Sequence, residues 1–269
     1  MKFFRFIDSG SLDGAANMAV DETLARTLAQ HRDHGYVRFY RWMPPTLSFG
    51  YNQHIEKLID VDMAAQRGFD IVRRMSGGKM VFHNNELTFS VGLTAEFINM
   101  RLDRAATFLE MFKFAVEPII EALVKHGVPA RFSSSREIMK TSENHLHCYA
   151  AAAGHSIFAG QHKLIGAAGI FRDNCMVAHG SIPISSSFPP DELFLGVINP
   201  QANIEIASLQ DFIENSAINN LPGAIAEAYG QKFNLPLKKE ALTEHEVFIA
   251  NDLAKEKYGN LNWHKQKTP

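Results

Sequence analysis

The chain has 269 residues and a formal net charge of −2 at pH 7, and 46% of its residues are hydrophobic. A chain of this length and composition can bury the sizeable core of a globular protein. Its near-neutral charge argues against a nucleic-acid-binding surface as the main function. No run of the sequence approaches the ~18 apolar residues that a membrane span needs, and the N-terminus "MKFFRFIDSG" turns polar too early for a secretory signal.

Cysteine usage restricts the class of protein further. The chain contains two cysteines, Cys148 and Cys175. Two are too few for a disulfide scaffold, and their spacing matches no zinc signature. We therefore expect a soluble, cytoplasmic protein with reduced thiols, whose partners include neither nucleic acid nor membrane.

The first part of the chain predicts a helix, two strands and a second helix. Residues 13–35 predict a helix with Asp13 as its N-cap, because apolar residues recur there on one stripe. Residues 37–42 and 46–53 alternate around two prolines, the pattern of two strands joined by a turn. Residues 60–68 predict a short helix that ends at its glycine.

The next segments predict strands on either side of a long helix. Residues 69–93 contain "RRMSGGKMVFHNNELTFS" and predict a strand, a glycine turn, a strand, an Asn-Asn turn and a third strand. The first two of these strands form a predicted hairpin. In residues 102–126 apolar side chains recur every three or four positions, which predicts a helix that Pro118 kinks or breaks. Residues 156–184 predict strands again.

The order of these elements predicts an α+β fold. Strands interrupted by unevenly spaced helices favour mixed or antiparallel sheets with flanking helices over a regular βαβ winding. Thr243 and Glu246 form a capping box in front of a helical C-terminal tail, which covers about residues 236–269. No repeat, low-complexity tract or Gly/Ser linker divides the chain. We therefore expect residues 1–269 to form a single domain.

The glycine turn at residues 76–78 is a candidate binding site. Glycines allow backbone N–H groups to approach a ligand, although a tight structural turn is the commoner role of a Gly-Gly pair. The sequence "SGGK" is not a Walker loop, which needs a longer spacing and a following helix. Arg73 and Arg74 occupy adjacent strand positions, so their side chains point to opposite faces. At most one of them is expected to face a shared pocket.

Cys148 and Lys163 form a candidate catalytic pair. A lone cysteine is more often a small buried hydrophobe than a nucleophile, but the residues before Cys148 are polar and indicate partial exposure. A nucleophilic thiol also needs a cationic or basic neighbour that holds it as thiolate. Lys163 begins the apolar strand "KLIGAAGIF" and could supply that charge. The alternative interpretation is that Lys163 is an ordinary lysine at the end of a strand, with its side chain in solvent.

The histidines do not predict a metal site. Neither a helical i, i+4 pair nor a C-x-x-C knuckle fits the spacing of the one polar cluster, which contains His145, His147, Cys148 and His155. His83 and His179 each follow a short apolar run. Either histidine is a hydrogen-bonded core residue or a side chain that lines a site.

Taken together, these segments resemble the lipoate-protein ligase A / biotin-lipoyl attachment family. "RRMSGGKMVFHNNELTFS" is similar to the family's hairpin, in which an arginine and Ser/Thr-Gly-Gly are followed by a histidine. "KLIGAAG" resembles the family's lysine strand, and "HGSIPI" resembles its His-Gly-Ser/Thr strand. The resemblance runs from "NMAVDETL" to "FIANDLAKEKYGNLNWHK", nearly the whole chain. It implies the biotin/lipoate protein ligase catalytic fold.

Within that family the chain resembles the octanoyltransferase branch (the LipM type) more than the ATP-using ligases. "NNELTFS" and "HGSIPI" are closer to the transferase versions, and Cys148 stands ahead of Lys163, as the acyl-accepting cysteine of the transferases does. The resemblance implies octanoyl transfer in lipoate biosynthesis. The donor would be octanoyl-acyl carrier protein. The acceptor would be a lysine of a lipoyl domain, such as that of the glycine cleavage H protein or a dehydrogenase E2.

The resemblance also implies roles for individual residues. Cys148 would carry the octanoyl group as a thioester, and Lys163 would stabilise the thiolate and relay protons. No metal or cofactor is expected, because the thioester donor is already activated. The expected substrate-binding residues are Arg73, Arg74, Ser76, Gly77, Gly78, Lys79, His83, Gly166, His179 and Gly180.

Three alternatives stay open. An ATP-dependent lipoate or octanoate ligase would hold an acyl-adenylate with Lys163 and Arg74 and would need Mg²⁺. A lipoyl amidotransferase would share the cysteine chemistry, and a non-catalytic acyl- or lipoyl-domain-binding protein would bind without turnover. The chain departs from the family pattern at Lys79-Met80 and at residues 167–169, and these positions bear on substrate preference.

Overall fold

A computed structural model describes residues 1–134, 156–195 and 206–265 of the chain. Its helices and strands alternate irregularly, as expected for an α+β fold. The helices are α1 (Gly14–His31), α2 (Ile55–Leu58), α3 (Val61–Gln66), α4 (Ala95–Leu102), α5 (Phe108–Lys125), α6 (Asn215–Phe233), α7 (Glu244–Leu253) and α8 (Leu261–Lys265). The strands are β1 (Phe3–Leu12), β2 (His34–Trp42), β3 (Thr46–Phe49), β4 (Asp70–Arg73), β5 (Val81–His83), β6 (Glu86–Thr94), β7 (Ala130–Phe132), β8 (Ile157–Ala159), β9 (His162–Arg172), β10 (Cys175–Pro183) and β11 (Leu237–Lys239).

The described strands form two sheets. The large sheet has the order β11-β1-β2-β6-β10-β9-β8-β7, and the small sheet has the order β4-β3-β5. In the large sheet β1 pairs in parallel with β2 and β11, and the other pairs are antiparallel. In the small sheet β3 is parallel to β4 and antiparallel to β5. The predicted mixed sheets are confirmed.

The two faces of the large sheet differ in chemistry. One face buries alternate apolar residues, such as Phe39, Phe89 and Ala178, against α5 and α6 in the largest core cluster. The residues between them point to the opposite face, because side chains alternate along a strand. On this second face the large sheet carries the buried polar side chains Arg38, Thr88, Ser90, His179 and Ser181.

Local sequence signals place the helix boundaries. The Asp13 side chain accepts the Ala16 N–H at 2.7 Å and caps α1, and a capping box starts α7 at Thr243. Helix α1 nevertheless ends at His31, earlier than predicted, because the chain turns at Arg32 and enters β2. Helix α5 runs through Pro118 without interruption, so of the two predicted effects of Pro118, a kink or a break, the break is wrong.

The predicted hairpin at the glycine turn is also wrong. β4 and β5 do not pair with each other, because β3 lies between them and pairs with both. The segment that joins them therefore crosses over the end of β3. The C-terminal region is mostly helical, but it begins with β11, which extends the large sheet beside β1. Within the described residues, no helix is long and apolar enough to cross a lipid bilayer.

Candidate functional site

A cavity lies between the polar face of the large sheet and the small sheet. The space between its walls is about 380 Å³, a volume that includes solvent at its open mouth. Apolar and aromatic side chains contribute to its wall, and backbone contributes where the lining residue is glycine. The lining residues include Met18, Tyr40, Trp42, Ser48, Arg74, Gly78, Val81, His83, Gly166, Ala168, His179, Gly180 and Ser181. Six of the twelve residues predicted from the sequence are therefore brought together around one cavity.

The loop of residues 74–80, which we call the glycine loop, crosses the end of β3 at close range. The Tyr51 N–H donates to the Ser76 carbonyl at 2.9 Å, and the Arg74 N–H donates to the Phe49 carbonyl at 2.8 Å. A Cβ atom added at Gly50 would lie 2.0 Å from the Gly78 carbonyl oxygen. Gly78 itself has a φ of +94°, in the left-handed region that favours glycine. The two glycines therefore allow one backbone to pass directly over the other.

The Arg74 side chain holds the glycine loop through hydrogen bonds. Its guanidinium donates to the Ser48 carbonyl at 2.7 Å and to Ser48 Oγ at 2.6 Å. It also donates to the Gly77 carbonyl at 3.3 Å and to the Lys79 carbonyl at 2.9 Å. The side chain is buried and contributes to the cavity wall. Arg74 thus lies at the expected site, where it binds the loop's own carbonyl oxygens.

Arg73 lies on the other side of the strand and does not line the cavity. Its guanidinium donates to the Tyr51 and Gln53 carbonyls, each at 2.7 Å, and to the Trp263 carbonyl at 3.1 Å. The Trp263 indole N–H donates back to the Arg73 carbonyl at 3.1 Å. These contacts attach the C-terminal helix α8 to the small sheet. Arg73 was expected to bind substrate, but alternation along β4 directs it away from the cavity.

His83 stands at the centre of a buried chain of hydrogen bonds. Its Nε2 atom lies 2.5 Å from Ser48 Oγ, and its Nδ1 atom lies 2.6 Å from Glu86 Oε1. The ring is stacked on Trp42 with a centroid distance of 4.0 Å and an interplanar angle of 14°. Burial would raise the pKa of the Glu86 carboxyl, but His83 and hydrogen bonds from Ser181 and Thr88 outweigh it and lower that pKa.

His179 takes part in a second chain of buried polar contacts on the opposite wall. Its Nε2 atom forms a short hydrogen bond with Ser76 Oγ, and its Nδ1 atom lies 3.9 Å from Asp21 Oδ2. Asp21 also accepts from Arg38 at 2.7 Å and from the Tyr40 hydroxyl at 2.8 Å. Burial would raise the pKa of Asp21, but Arg38 and His179 lower it. Burial lowers the pKa of His179, although Asp21 opposes this effect.

Lys163 is buried at the start of β9, and a bulge directs its side chain. Lys163 pairs with Phe158, but Ile165 rather than Leu164 pairs with Ile157. The extra residue turns Leu164 and Ile165 together into the apolar core and leaves Lys163 on the opposite face. Lys163 therefore shares a face with the cavity-lining residues Gly166 and Ala168. Cys148, its predicted partner, lies outside the described residues.

Three other predicted residues contribute to the site through their backbone or through packing rather than through a polar side chain. Gly166 lines the cavity beside Ser181, its partner on β10. Gly180 also borders the cavity, but a Cβ atom there would lie 2.6 Å from the Phe89 ring, so this glycine is required by packing on the apolar face. Lys79 contributes its carbonyl to Arg74, as described above. Ala168, at one of the unusual positions, borders the cavity directly.

Several residues of the site were not predicted. Ser48, Glu86, Asp21 and Arg38 are buried polar residues, and all four belong to the two histidine chains. A sequence signal existed for Glu86, since Glu86, Thr88 and Ser90 alternate with Leu87, Phe89 and Val91 and thereby indicate a polar face. No comparable signal marked Asp21, which lies on α1 between Val20 and Glu22.

The described residues contain no metal-type cluster. Across residues 1–134, 156–195 and 206–265, no three His, Cys, Asp or Glu side chains are grouped as metal ligands would be. The sequence cluster of His145, His147, Cys148 and His155 lies outside those ranges. Burial raises the pKa of the Cys175 thiol to about 11, which favours the inert thiol over the thiolate.

Comparison with known proteins identifies the family. Residues 13–245 match the family model of the lipoyl protein ligase A/B catalytic domain. The chain belongs to the lipoyl protein ligase A/B family. Octanoyltransferase LipM of Staphylococcus aureus is 30% identical over 276 residues, covering 97% of each chain. Octanoyltransferase LipM of Anoxybacillus flavithermus is 30% identical over 279 residues, again covering 97% of each chain.

Solved structures of lipoate protein ligases share the fold. A chain from the bipartite lipoate protein ligase of Thermoplasma acidophilum superimposes with a TM-score of 0.77 at 21% identity, covering 100% of this chain and 98% of that chain. At this level of identity the likeness concerns the fold alone. The expected family and the expected α+β catalytic fold are both confirmed.

Proposed function

We propose that this chain is an octanoyltransferase that moves an octanoyl group from the thioester of an acyl carrier protein to a lysine of a lipoyl domain. Relatives named as octanoyltransferases, aligned over nearly their whole length, support this activity. The bipartite ligase of Thermoplasma acidophilum forms an archaeal lipoylation system with its E2 lipoyl domain, which supports a lipoyl domain as acceptor. The carrier-protein donor, and the absence of an ATP or Mg²⁺ requirement, are parts of the proposal.

The observation that carries the proposal is the position of Lys163. A buried lysine on the face of the cavity can hold a positive charge beside the reacting groups, whereas a lysine in the apolar core could not. The bulge in β9 gives Lys163 that orientation. Because an ammonium stabilises a neighbouring thiolate, Lys163 is suited to activate a cysteine nucleophile, for which we propose Cys148.

The first half-reaction produces the acyl-enzyme. The Cys148 thiolate attacks the thioester carbonyl, a new C–S bond forms, and the carrier's C–S bond breaks. The Lys163 ammonium protonates the departing thiolate and becomes a neutral amine. Backbone N–H groups of the glycine loop are candidates to stabilise the tetrahedral oxyanion. The apolar part of the cavity accommodates the alkyl chain.

The second half-reaction transfers the acyl group to the acceptor. The neutral amine of the lipoyl-domain lysine attacks the Cys148 thioester, a C–N bond forms, and Cys148 leaves as thiolate. The proton released from that amine goes to Lys163, which returns to the ammonium form. The thioester supplies the activation, so no nucleotide takes part. The site residues recover their starting protonation states at the end of the cycle.

A donor-substitution assay tests the proposal. The purified chain is incubated with a lipoyl domain and either octanoyl-acyl carrier protein without ATP, or free octanoate with ATP and Mg²⁺. Mass spectrometry of the lipoyl domain measures octanoylation. We expect modification from the carrier protein alone. Modification only from the free acid with ATP would contradict the transferase and establish the ligase alternative, and no modification from either donor would support a binding protein without turnover.

A further inference from the structure

We propose that Ser48, His83 and Glu86 are positioning residues that hold Arg74, and through it the glycine loop, in the orientation that the acyl carbonyl requires. This inference rests on the proposed acyl transfer, and it concerns residues that would not themselves react.

A single direction of donation runs through the chain. An arginine guanidinium can only donate, so Ser48 Oγ accepts from Arg74 at 2.6 Å and its own proton is available to another group. That proton can go to His83 Nε2, which lies 2.5 Å away. His83 Nδ1 then carries the ring proton and donates to Glu86 at 2.6 Å. Each group donates to the next, from the guanidinium to the carboxylate.

The carboxylate end of the chain is fixed in place. Glu86 Oε1 also accepts from the Thr88 hydroxyl at 2.5 Å, and Glu86 Oε2 accepts from the Ser181 hydroxyl. The Trp42 indole donates to Thr88 at 2.8 Å and stacks on the His83 ring. Buried groups held by several hydrogen bonds have little freedom to rotate. Glu86 and His83 are therefore a rigid base for Ser48 and Arg74.

The other side of Arg74 controls the glycine loop. Its second terminal nitrogen holds the Gly77 and Lys79 carbonyls. In a trans peptide the C=O and N–H groups point in opposite directions, so the fixed Gly77 carbonyl turns the Gly78 N–H away from Arg74. Gly78 borders the cavity and is exposed. Within this proposal, the Gly78 N–H is the donor for the developing oxyanion.

Nuclear magnetic resonance of the His83 ring tests the hydrogen-bond direction without any substrate. In ¹⁵N-histidine-labelled protein at about pH 7.5, the His83 signals are assigned by their loss in His83→Asn. We expect a neutral ring with the proton on Nδ1 in the wild type, and a mixture of tautomers in Ser48→Ala. A ring protonated on Nε2 in the wild type would overturn the proposed direction.

Kinetics test the positioning role with a matched control. Ser48→Ala removes the hydroxyl that links His83 to Arg74, whereas Ser90→Ala removes a buried hydroxyl that interacts with Tyr36 and belongs to neither histidine chain. We expect kcat for octanoyl transfer to fall about 10- to 100-fold in Ser48→Ala, with KM for the acyl donor changed less than about threefold. Ser90→Ala should keep the wild-type kcat. A folded Ser48→Ala variant with unchanged kcat would overturn the positioning role.

A second pair of variants tests the positioning role independently, in case Ser48→Ala does not fold. Glu86→Gln retains an oxygen that accepts from His83, whereas Glu86→Ala removes it. We expect Glu86→Gln to restore most of the kcat lost in Glu86→Ala, and equal losses in two folded variants would contradict the positioning role. If the wild type transfers no octanoyl group at all, the proposed function fails. The NMR measurement of the His83 tautomer then still tests the direction of donation from Arg74 to Glu86.

Discussion

Gly50→Ala should displace the glycine loop while leaving the core intact. The added Cβ would lie 2.0 Å from the Gly78 carbonyl oxygen, 2.9 Å from the Gly78 carbonyl carbon and 3.0 Å from the Gly77 carbonyl carbon. Ordinary contact begins at about 3.4 Å, so the two backbones must separate by about 1.4 Å. Both contacting groups are backbone, and no side-chain rotation can relieve the overlap.

The structure sets the size of the expected effect. Overpacking of this kind costs about 1–3 kcal/mol of unfolding free energy. A displacement of about 1 Å in a positioning element can lower a rate about 100-fold. We therefore expect kcat/KM for octanoyl transfer to fall about 100-fold, while the melting temperature falls by only a few degrees and the circular dichroism spectrum stays that of the wild type.

Gly223→Ala is the control, because a Cβ at Gly223 in α6 meets no atom of the described residues within 4 Å, apart from its chain neighbours and the nearby backbone of its own helix. Alanine is a better helix former than glycine, so this variant should gain up to about 1 kcal/mol of stability and keep the wild-type kcat/KM. Thermal unfolding and the octanoyl-transfer assay are run on both variants. A Gly50→Ala protein that folds and transfers octanoyl at the wild-type rate would refute the role given to the glycine loop.

Three further predictions concern other parts of the site. Arg73→Ala leaves several backbone carbonyls without their donor, so urea denaturation should show a loss of about 3 kcal/mol of unfolding free energy, and limited proteolysis should cleave the C-terminal region sooner. Lys163→Met should lower kcat about 100-fold or more with little change in stability, as measured by single-turnover transfer. Burial lowers the pKa of His179 below 6.5 in the folded chain. As the pH falls below that value, the unfolded chain therefore binds more protons than the folded chain, and the free energy of unfolding decreases. Denaturation between about pH 7 and pH 5 should show this loss in the wild type, at most about 1.4 kcal/mol per pH unit for one proton, and a smaller loss in His179→Asn.

The sequence predicted the local elements because their signals are local. Asp13 precedes an apolar stripe, and Thr243 and Glu246 stand at the capping-box spacing, so the starts of α1 and α7 could be placed without tertiary information. The alternation of Glu86, Thr88 and Ser90 with apolar residues likewise identified β6. Each of these signals lies within a few consecutive residues.

The predicted hairpin failed because strand order depends on contacts between distant residues. The sequence of β4, the glycine loop and β5 is compatible with direct pairing. The insertion of β3 between them depends on the close passage of Gly50 and Gly78, which are far apart in the sequence. A local pattern cannot indicate such a contact.

The position of Lys163 also could not be read from alternation. An unbroken strand would place Lys163 on the same face as Ile165 and Ala167, in the apolar core. The bulge at Leu164 reverses that assignment and places the lysine on the sheet face that also carries the cavity-lining residues Gly166 and Ala168. The two histidine chains escaped prediction for a related reason, since Asp21, Ser48 and Arg38 come from three separate elements.

The identity of the nucleophile is the most direct test of the proposed mechanism. The wild type, Cys148→Ala and Cys175→Ala are each mixed with octanoyl-acyl carrier protein without ATP, and intact-protein mass spectrometry measures any adduct. Cys175→Ala is the matched control, because that thiol is buried and its pKa is raised to about 11. We expect one octanoyl adduct on the wild type and on Cys175→Ala, removed when a lipoyl domain is added, and none on Cys148→Ala. An adduct that persists in Cys148→Ala would contradict the proposed thioester intermediate, as would octanoyl transfer to the lipoyl domain at the wild-type rate by that variant.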